Sequence, residues 1–373
     1  MKLGYRIAYV GLAVLLAAAE AKDGRVRPST AEGLIYPADP AQLRAAVEQY
    51  VSAAQPLNLP GPVVGCIVPH SPYSVTGGIM GEALARLQPG QYARVIVLAP
   101  SLHADFRGCS VPSVQYYQTP LGDVKLDTKA IRRITINSLI QIRSLIYRGS
   151  AYTDPQLNRT PIHERETAIE AVLPFLQVRL GEFELVPIVV GSLHRVHGGL
   201  DETALNQIAR TLADIVDNKT LVIACSDFTR YGAVHNFTPF TKDIPRSIAA
   251  LDHRAFRLIE RRDVTGFAAY LDETKSTITG PLPIMLLMKL MPRRSVGVLV
   301  GYDMSSRISG KPDISVSYAS LIFVDGTRPP PPDRSTTKTR SDPAGDPPAP
   351  RVGEGEPAVG PPPVTDATDV SRE

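Results

Sequence analysis

The chain has 373 residues, 43% of them hydrophobic and 21% charged, with 40 basic residues against 37 acidic ones. That composition suits a globular protein with a sizeable core. The net charge of +3, the absence of Trp and an aromatic content of 6% argue against a nucleic-acid binder or a polybasic membrane-surface protein. Three widely spaced cysteines, Cys66, Cys109 and Cys225, exclude a disulfide-dense scaffold, and no C-x-x-C motif is present.

In chain order, residues 1–21 read as a secretory signal. Lys2 and Arg6 precede an uncharged run from Ile7 to Ala19, and Ala19-Glu20-Ala21 supplies a small-residue cleavage pattern. The run is shorter than the roughly 20 residues a bilayer span needs. Cleavage therefore leaves no transmembrane span, and the expected location is periplasmic or extracellular. An uncleaved N-terminal anchor is the alternative.

Residues 22–326 alternate strands and helices. Val63–Val68 is a predicted strand, followed by a helical stretch from Gly78 to Leu87. Arg94–Leu98 is a second buried strand. Apolar residues at Ile169, Val172, Leu173 and Leu176 give helical spacing across Glu166–Val178. Glu184–Val190 is a third strand despite Pro187, which removes a ladder donor. A helix over Glu202–Val216 leads to a fourth strand, Leu221–Cys225. Helices follow at Ile248–Ile259 and Val264–Tyr270, then strands at Ser295–Val300 and Ser315–Phe323. Such alternation predicts one α/β domain with a mixed sheet, a two-lobed sheet being the alternative. From Thr327 to the end there are twelve prolines and no aromatic, Leu, Ile or Met. This composition predicts a disordered, partly polyproline-II tail.

Ligands in open α/β sheets sit beyond the carboxyl ends of the strands. Four strand ends carry His70, His103, His194 and Asp227. Imidazoles and carboxylates are metal ligands and general bases. They also satisfy ordinary loop hydrogen bonds, and a purely structural His70–Asp227 bond remains an open reading. No P-loop, no G-x-S-x-G elbow and no H-E-x-x-H occurs.

Eight segments in order resemble the Memo family, also called AmmeMemoRadiSam system protein B. Tyr36-Pro37-Ala38-Asp39-Pro40 is similar to its YPADP segment. Pro69-His70 with Tyr73 resembles its PHAGY loop, and Ala99-Pro100-Ser101 its G-P-S-H-H turn. Thr119 to Asp123 reads TPLGD, and Glu166 to Phe175 is similar to its EHSIE…LPF helix. Ser226-Asp227-Phe228 with Tyr231-Gly232 resembles SSDFSHYG, and Ser276 to Ile284 resembles NTICGRPPI. Ser315 to Ala319 matches the closing strand.

The resemblance implies a three-layer α/β/α sandwich with a mixed sheet, like that of the class III extradiol dioxygenases. It also implies an iron or copper ion held by the histidines of PHAGY and G-P-S-H-H and the cysteine of NTICG. Radical-SAM system proteins are implied as partners. The site is altered here. His70 and Asp227 remain, whereas Leu102 and Thr279 stand at two ligand positions. Arg230 replaces the histidine after the aspartate, and Thr167 that of EHS. A permanent charge at Arg230 would repel a cation by about 1 kcal/mol per unit charge at ~4 Å even in water.

These residues give two functional expectations and leave open whether the chain is an enzyme. One is a non-catalytic binding or accessory protein with a degenerate metal site and no cofactor. Its cleft near His70, Asp227 and Arg230 would take a small anionic ligand or a peptide, with Arg230 as the anion contact. The other is a metal-dependent oxidoreductase in which His70, His103 and Asp227 hold iron or copper, with His194 or His235 as base.

Overall fold

A computed structural model describes residues 25–142, 161–195 and 198–327. The predicted leader at 1–21, and the predicted tail beyond Thr327, lie outside these residues. β1 (Val26–Arg27) is followed by α1 (Pro40–Ser52), which the sequence reading passes over. Its signals are local: the Asp39 carboxylate accepts from Gln42 N at 2.8 Å, Pro40 opens the first turn, and Leu43 and Val47 are buried one turn apart.

β2 (Val63–Val68) is wholly buried, as its unbroken apolar run predicts. α2 (Tyr73–Leu84) begins five residues before the predicted Gly78. Its glycines fit it against α1: a Cβ on Gly77 would meet the Tyr50 ring at 2.3 Å, and one on Gly81 the Tyr50 carbonyl oxygen at 2.4 Å. β3 (Arg94–Pro100) follows. The short strands β4 (Cys109–Val111), β5 (Tyr116–Thr119), β6 (Gly122–Lys125) and β7 (Ile140–Ile142), with α3 (Thr128–Ile134), are too brief to show a period in the sequence.

The one-turn α4 (Ile162–Arg165) leads into α5 (Ala168–Leu180). β8 (Glu184–Val190) accommodates Pro187 because β4 pairs with its last two residues alone, Val189 and Val190. α6 (Glu202–Ala213), β9 (Thr220–Cys225) and the two-residue β10 (Arg230–Tyr231) come next. α7 (Ile244–Glu260), α8 (Val264–Thr274) and α9 (Pro281–Leu290) then precede β11 (Ser295–Met304), the short α10 (Ser305–Ser309) and β12 (Ser315–Asp325). α9 escapes the sequence reading because PLPIMLLMKL is apolar but for Lys289 and has no helical stripe.

The main sheet runs β10-β12-β2-β9-β3-β8-β4-β7, and β11 pairs along β12. β2, β9, β3 and β8 are mutually parallel, whereas β12 on β2 and β4 on β8 are antiparallel. The sheet is therefore mixed. α1, α2 and α5 pack as one layer; α6, α7, α8 and α9 pack as the other. This is the predicted α/β/α sandwich. A small second sheet, β1-β5-β6, lies off the main one. Among the described residues no helix is long and apolar enough to cross a membrane.

The parallel centre has one functional consequence. The carboxyl ends of β2, β9 and β3 emerge side by side on one edge, with β8 beyond them. The segments that follow these strands carry the site.

Candidate functional site

Val68 of β2 pairs with Cys225 of β9, so the chain after each strand meets its neighbour immediately. The Asp227 carboxylate accepts from His70 N through Oδ1 at 3.1 Å and from Ser71 Oγ through Oδ2 at 2.6 Å. His70 Nε2 lies 3.9 Å from Oδ2 and 3.2 Å from Thr279 Oγ1. Thr279 in turn clamps Asp227: its Oγ1 accepts from Asp227 N at 3.0 Å, and its N–H donates to the Asp227 carbonyl at 3.1 Å. Gly280 makes that approach feasible, since a Cβ there would stand 2.4 Å from the Cys225 carbonyl oxygen. His70 and Asp227 are buried at 7% and 4% exposure, whereas Ser71 is half-buried.

Arg230 follows on β10, with its main chain tied to Thr277 by two hydrogen bonds of 2.8 Å. The guanidinium Nε is buried and has no hydrogen-bond partner among the described residues. Tyr318 of β12 is buried, and that burial pushes its hydroxyl up, with the Asp227 charge adding to the shift. The half-buried His235 is shifted down, first by burial and then by the Arg230 charge. Behind the loop, the buried Asp252 of α7 accepts from Thr229 Oγ1 at 2.6 Å and Tyr302 Oη at 2.8 Å. Burial raises its carboxyl. This carboxyl anchors the segment between Asp227 and Arg230.

The turn after β3 is held differently. Glu166 Oε1 accepts from Ser101 Oγ at 3.1 Å, Leu102 N at 2.8 Å and His103 N at 2.9 Å. Burial pushes this carboxyl up, against the pull of those donors. Leu102 and His103 are thus fixed by their main chain, and both side chains are exposed. His194 is exposed as well, on the loop after β8. The structure brings together His70, Asp227 and Thr279, with Arg230 on the adjoining strand. Among the described residues, no three His, Cys, Asp or Glu side chains are grouped so that they could hold a metal ion.

Sequence reasoning passes over Ser71, Tyr318, Asp252 and the anchoring role of Glu166. Ser71 follows the first candidate histidine directly and could have been found there. Asp252 lies inside a helical stretch with no local cue. All three cysteines are buried and free. Burial pushes the thiols of Cys66 and Cys109 up to about 12 and that of Cys225 further, so none offers a ready thiolate.

A family model described as Memo-like protein matches residues 27–322. The chain belongs to this Memo family. Zebrafish (Danio rerio) Protein MEMO1 is 29% identical over 311 residues, covering 80% of this chain and 97% of that protein. Human Protein MEMO1 is 27% identical over 308 residues, covering 79% and 96%. The Caenorhabditis elegans Protein memo-1 homolog is 29% identical over 282 residues, covering 71% and 75%. The crystal structure of the uncharacterized protein JW3007 from Escherichia coli K12 aligns at 11% identity with a TM-score of 0.41, over 69% of this chain and 98% of that one. In this Memo-family chain, the segments carrying His70, Asp227 and Thr279 meet at the strand ends, whereas Thr119 of the TPLGD segment bonds Gln177 near the far end of α5.

Proposed function

We propose that this Memo-family protein is a binding or accessory protein whose strand-end cleft takes an anionic ligand, a small carboxylate or an acidic peptide group, without a metal ion. The observation that carries this reading is Arg230. Its buried Nε lacks a partner among the described residues, and the neighbouring Asp227 spends both carboxylate oxygens on His70 and Ser71. A guanidinium with an open donor favours a carboxylate, because charge-assisted, forked hydrogen bonds are the strong ones.

The donor set supports the metal-free half. Leu102 offers no electron pair, and Thr279 offers a hydroxyl already shared with His70 and Asp227. His70 and Asp227 alone would leave a transition ion underligated, and Arg230 would repel it. We therefore expect less than about a tenth of an equivalent of iron, copper or zinc in chain purified without chelators. The Leu102→His/Thr279→Cys double variant should gain metal toward stoichiometry. Near-stoichiometric iron or copper in the parent would instead establish the oxidoreductase reading.

Succinate and inorganic phosphate, titrated by calorimetry, probe the anion site. Arg230→Ala should weaken succinate binding roughly ten- to a hundredfold, the loss of one charge-assisted contact of about 1.5–3 kcal/mol. Equal affinity in parent and variant would sink the reading. We also propose that residues 1–21 export the chain, which would separate it from radical-SAM proteins in a reducing cytosol. A reporter active only after export, fused to residues 1–30, reads this; cytoplasmic retention would restore the radical-SAM link.

A further inference from the structure

We propose that Ser71 is the nucleophile of a metal-free acyl-transfer site in the same cleft, with Asp227 as its base and a carboxylic ester bearing an anionic group as substrate. The inference rests on the anion-binding reading and adds a reaction to it. Ser71 sits in the four-residue turn between β2 and the twelve-residue α2, next to Pro72 at the helix cap. A strand–turn–helix corner lifts a side chain off the sheet edge and sets it at the positive end of the helix dipole. Its Oγ donates to Asp227 Oδ2 at 2.6 Å, within the reach required of a nucleophile and its base.

The base is itself oriented. Asp227 Oδ1 is held by His70 N at 3.1 Å, and its main chain is clamped on both sides by Thr279. Asp227 is 4% exposed while Ser71 is half-buried, so the nucleophile is reachable and the base is shielded. Arg230 lies three residues beyond Asp227, on β10 and opposite Val316 of β12. The Arg230 charge there suits an anionic substrate group or a developing oxyanion.

The step balances without a further reagent. Ser71 Oγ bonds to the ester carbonyl carbon, and its proton passes to Asp227. Collapse breaks the carbon–oxygen bond to the leaving alkoxide, which takes that proton. Water then attacks the acyl-Ser71 carbonyl, its proton passes to Asp227, and the departing Oγ recovers it.

The full chain should be treated with an alkyl fluorophosphonate and its peptides weighed. Phosphonylation is expected at Ser71, and this readout on the parent chain needs no variant to fold. With p-nitrophenyl hemisuccinate, Ser71→Ala and Asp227→Asn should each lower hydrolysis about 10²–10⁴-fold. The remote Ser247→Ala should leave it unchanged, and neutral p-nitrophenyl acetate should turn over more slowly than the hemisuccinate. Succinate should still bind Ser71→Ala. An unmodified Ser71, or a folded Ser71→Ala with the parent's rate, overturns the proposal. If succinate binds the parent while Ser71 stays inert, the reaction is wrong and the anion site stands. If succinate binding is absent as well, both readings fail.

Discussion

Two of the arginines in this molecule, Arg27 and Arg230, are used in opposite ways. Arg27 and Glu170 are both fully buried and form an ion pair. Glu170 also accepts from Ser29 Oγ at 2.8 Å, Ala31 N at 3.0 Å, Thr30 N at 3.1 Å and the Tyr36 hydroxyl. Arg27 donates to the His163 carbonyl at 2.7 Å and the Glu166 carbonyl at 3.2 Å, and lies 4.8 Å over the Tyr117 ring. Arg230, by contrast, has a buried Nε with no partner among the described residues, while Asp227 is bonded elsewhere. A charge pair with its hydrogen bonds filled holds a fold together. A charge kept short of partners at a strand end is available to a ligand.

The contrast breaks first at Glu170. Burial by itself would raise that carboxyl, but the Arg27 charge and the Tyr36 hydrogen bond hold it below its ordinary range. Glu170→Ala would leave a buried guanidinium unpaired and release the segment from Arg27 to Tyr36. The expected cost is about 3–5 kcal/mol of unfolding free energy in urea titration. A loss below about 1 kcal/mol would mean that the network is ornamental and that filled partners do not mark structure here.

How far this contrast could be read from sequence follows from range. Val63–Val68, Glu184–Val190 and most of β3 and β9 were legible because central parallel strands are continuous apolar runs. The order of those strands made His70 and Asp227 neighbours, and polar residues after each strand marked the edge. The clamp of Thr279 on Asp227 spans 52 residues, and the Glu170 pair with Arg27 spans 143; neither has a local pattern. His103 shows the limit most clearly. Its place after β3 predicts approach to the cleft, but Glu166 captures the main chain of that turn and leaves the imidazole exposed. Side-chain direction in a turn depends on such a remote anchor, not on spacing along the chain.

A smaller effect sits at His163, in the same buried cluster. Tyr117 Oη lies 2.7 Å from His163 Nδ1. Burial, helped by the Arg27 charge, pushes the imidazole down to about 3. The unfolded chain takes up a proton near pH 6.5, and the folded chain does not until near pH 3. The associated stability is complete above pH 6.5 and is lost as the pH falls through that window. The slope approaches one proton, about 1.4 kcal/mol per pH unit, so about 2 kcal/mol should vanish between pH 6.5 and 5. His163→Gln should flatten this dependence in urea titrations at the two pH values. Parallel curves for parent and variant would show that the histidine is protonated in the fold.

The smallest effect is the sharpest for the comparison. Arg230→Ala removes a charge without removing a known side-chain hydrogen bond at Nε, and both main-chain bonds to Thr277 survive it. Its unfolding free energy should therefore stay within about 0.5 kcal/mol of the parent. The same variant should lose succinate affinity, so stability and binding would separate at Arg230 where Glu170→Ala loses the fold itself. A stability cost above about 2 kcal/mol would place Arg230 with Arg27 as a structural cation. The cleft would then have no spare charge to offer, and an anionic ligand would lose its recognition element.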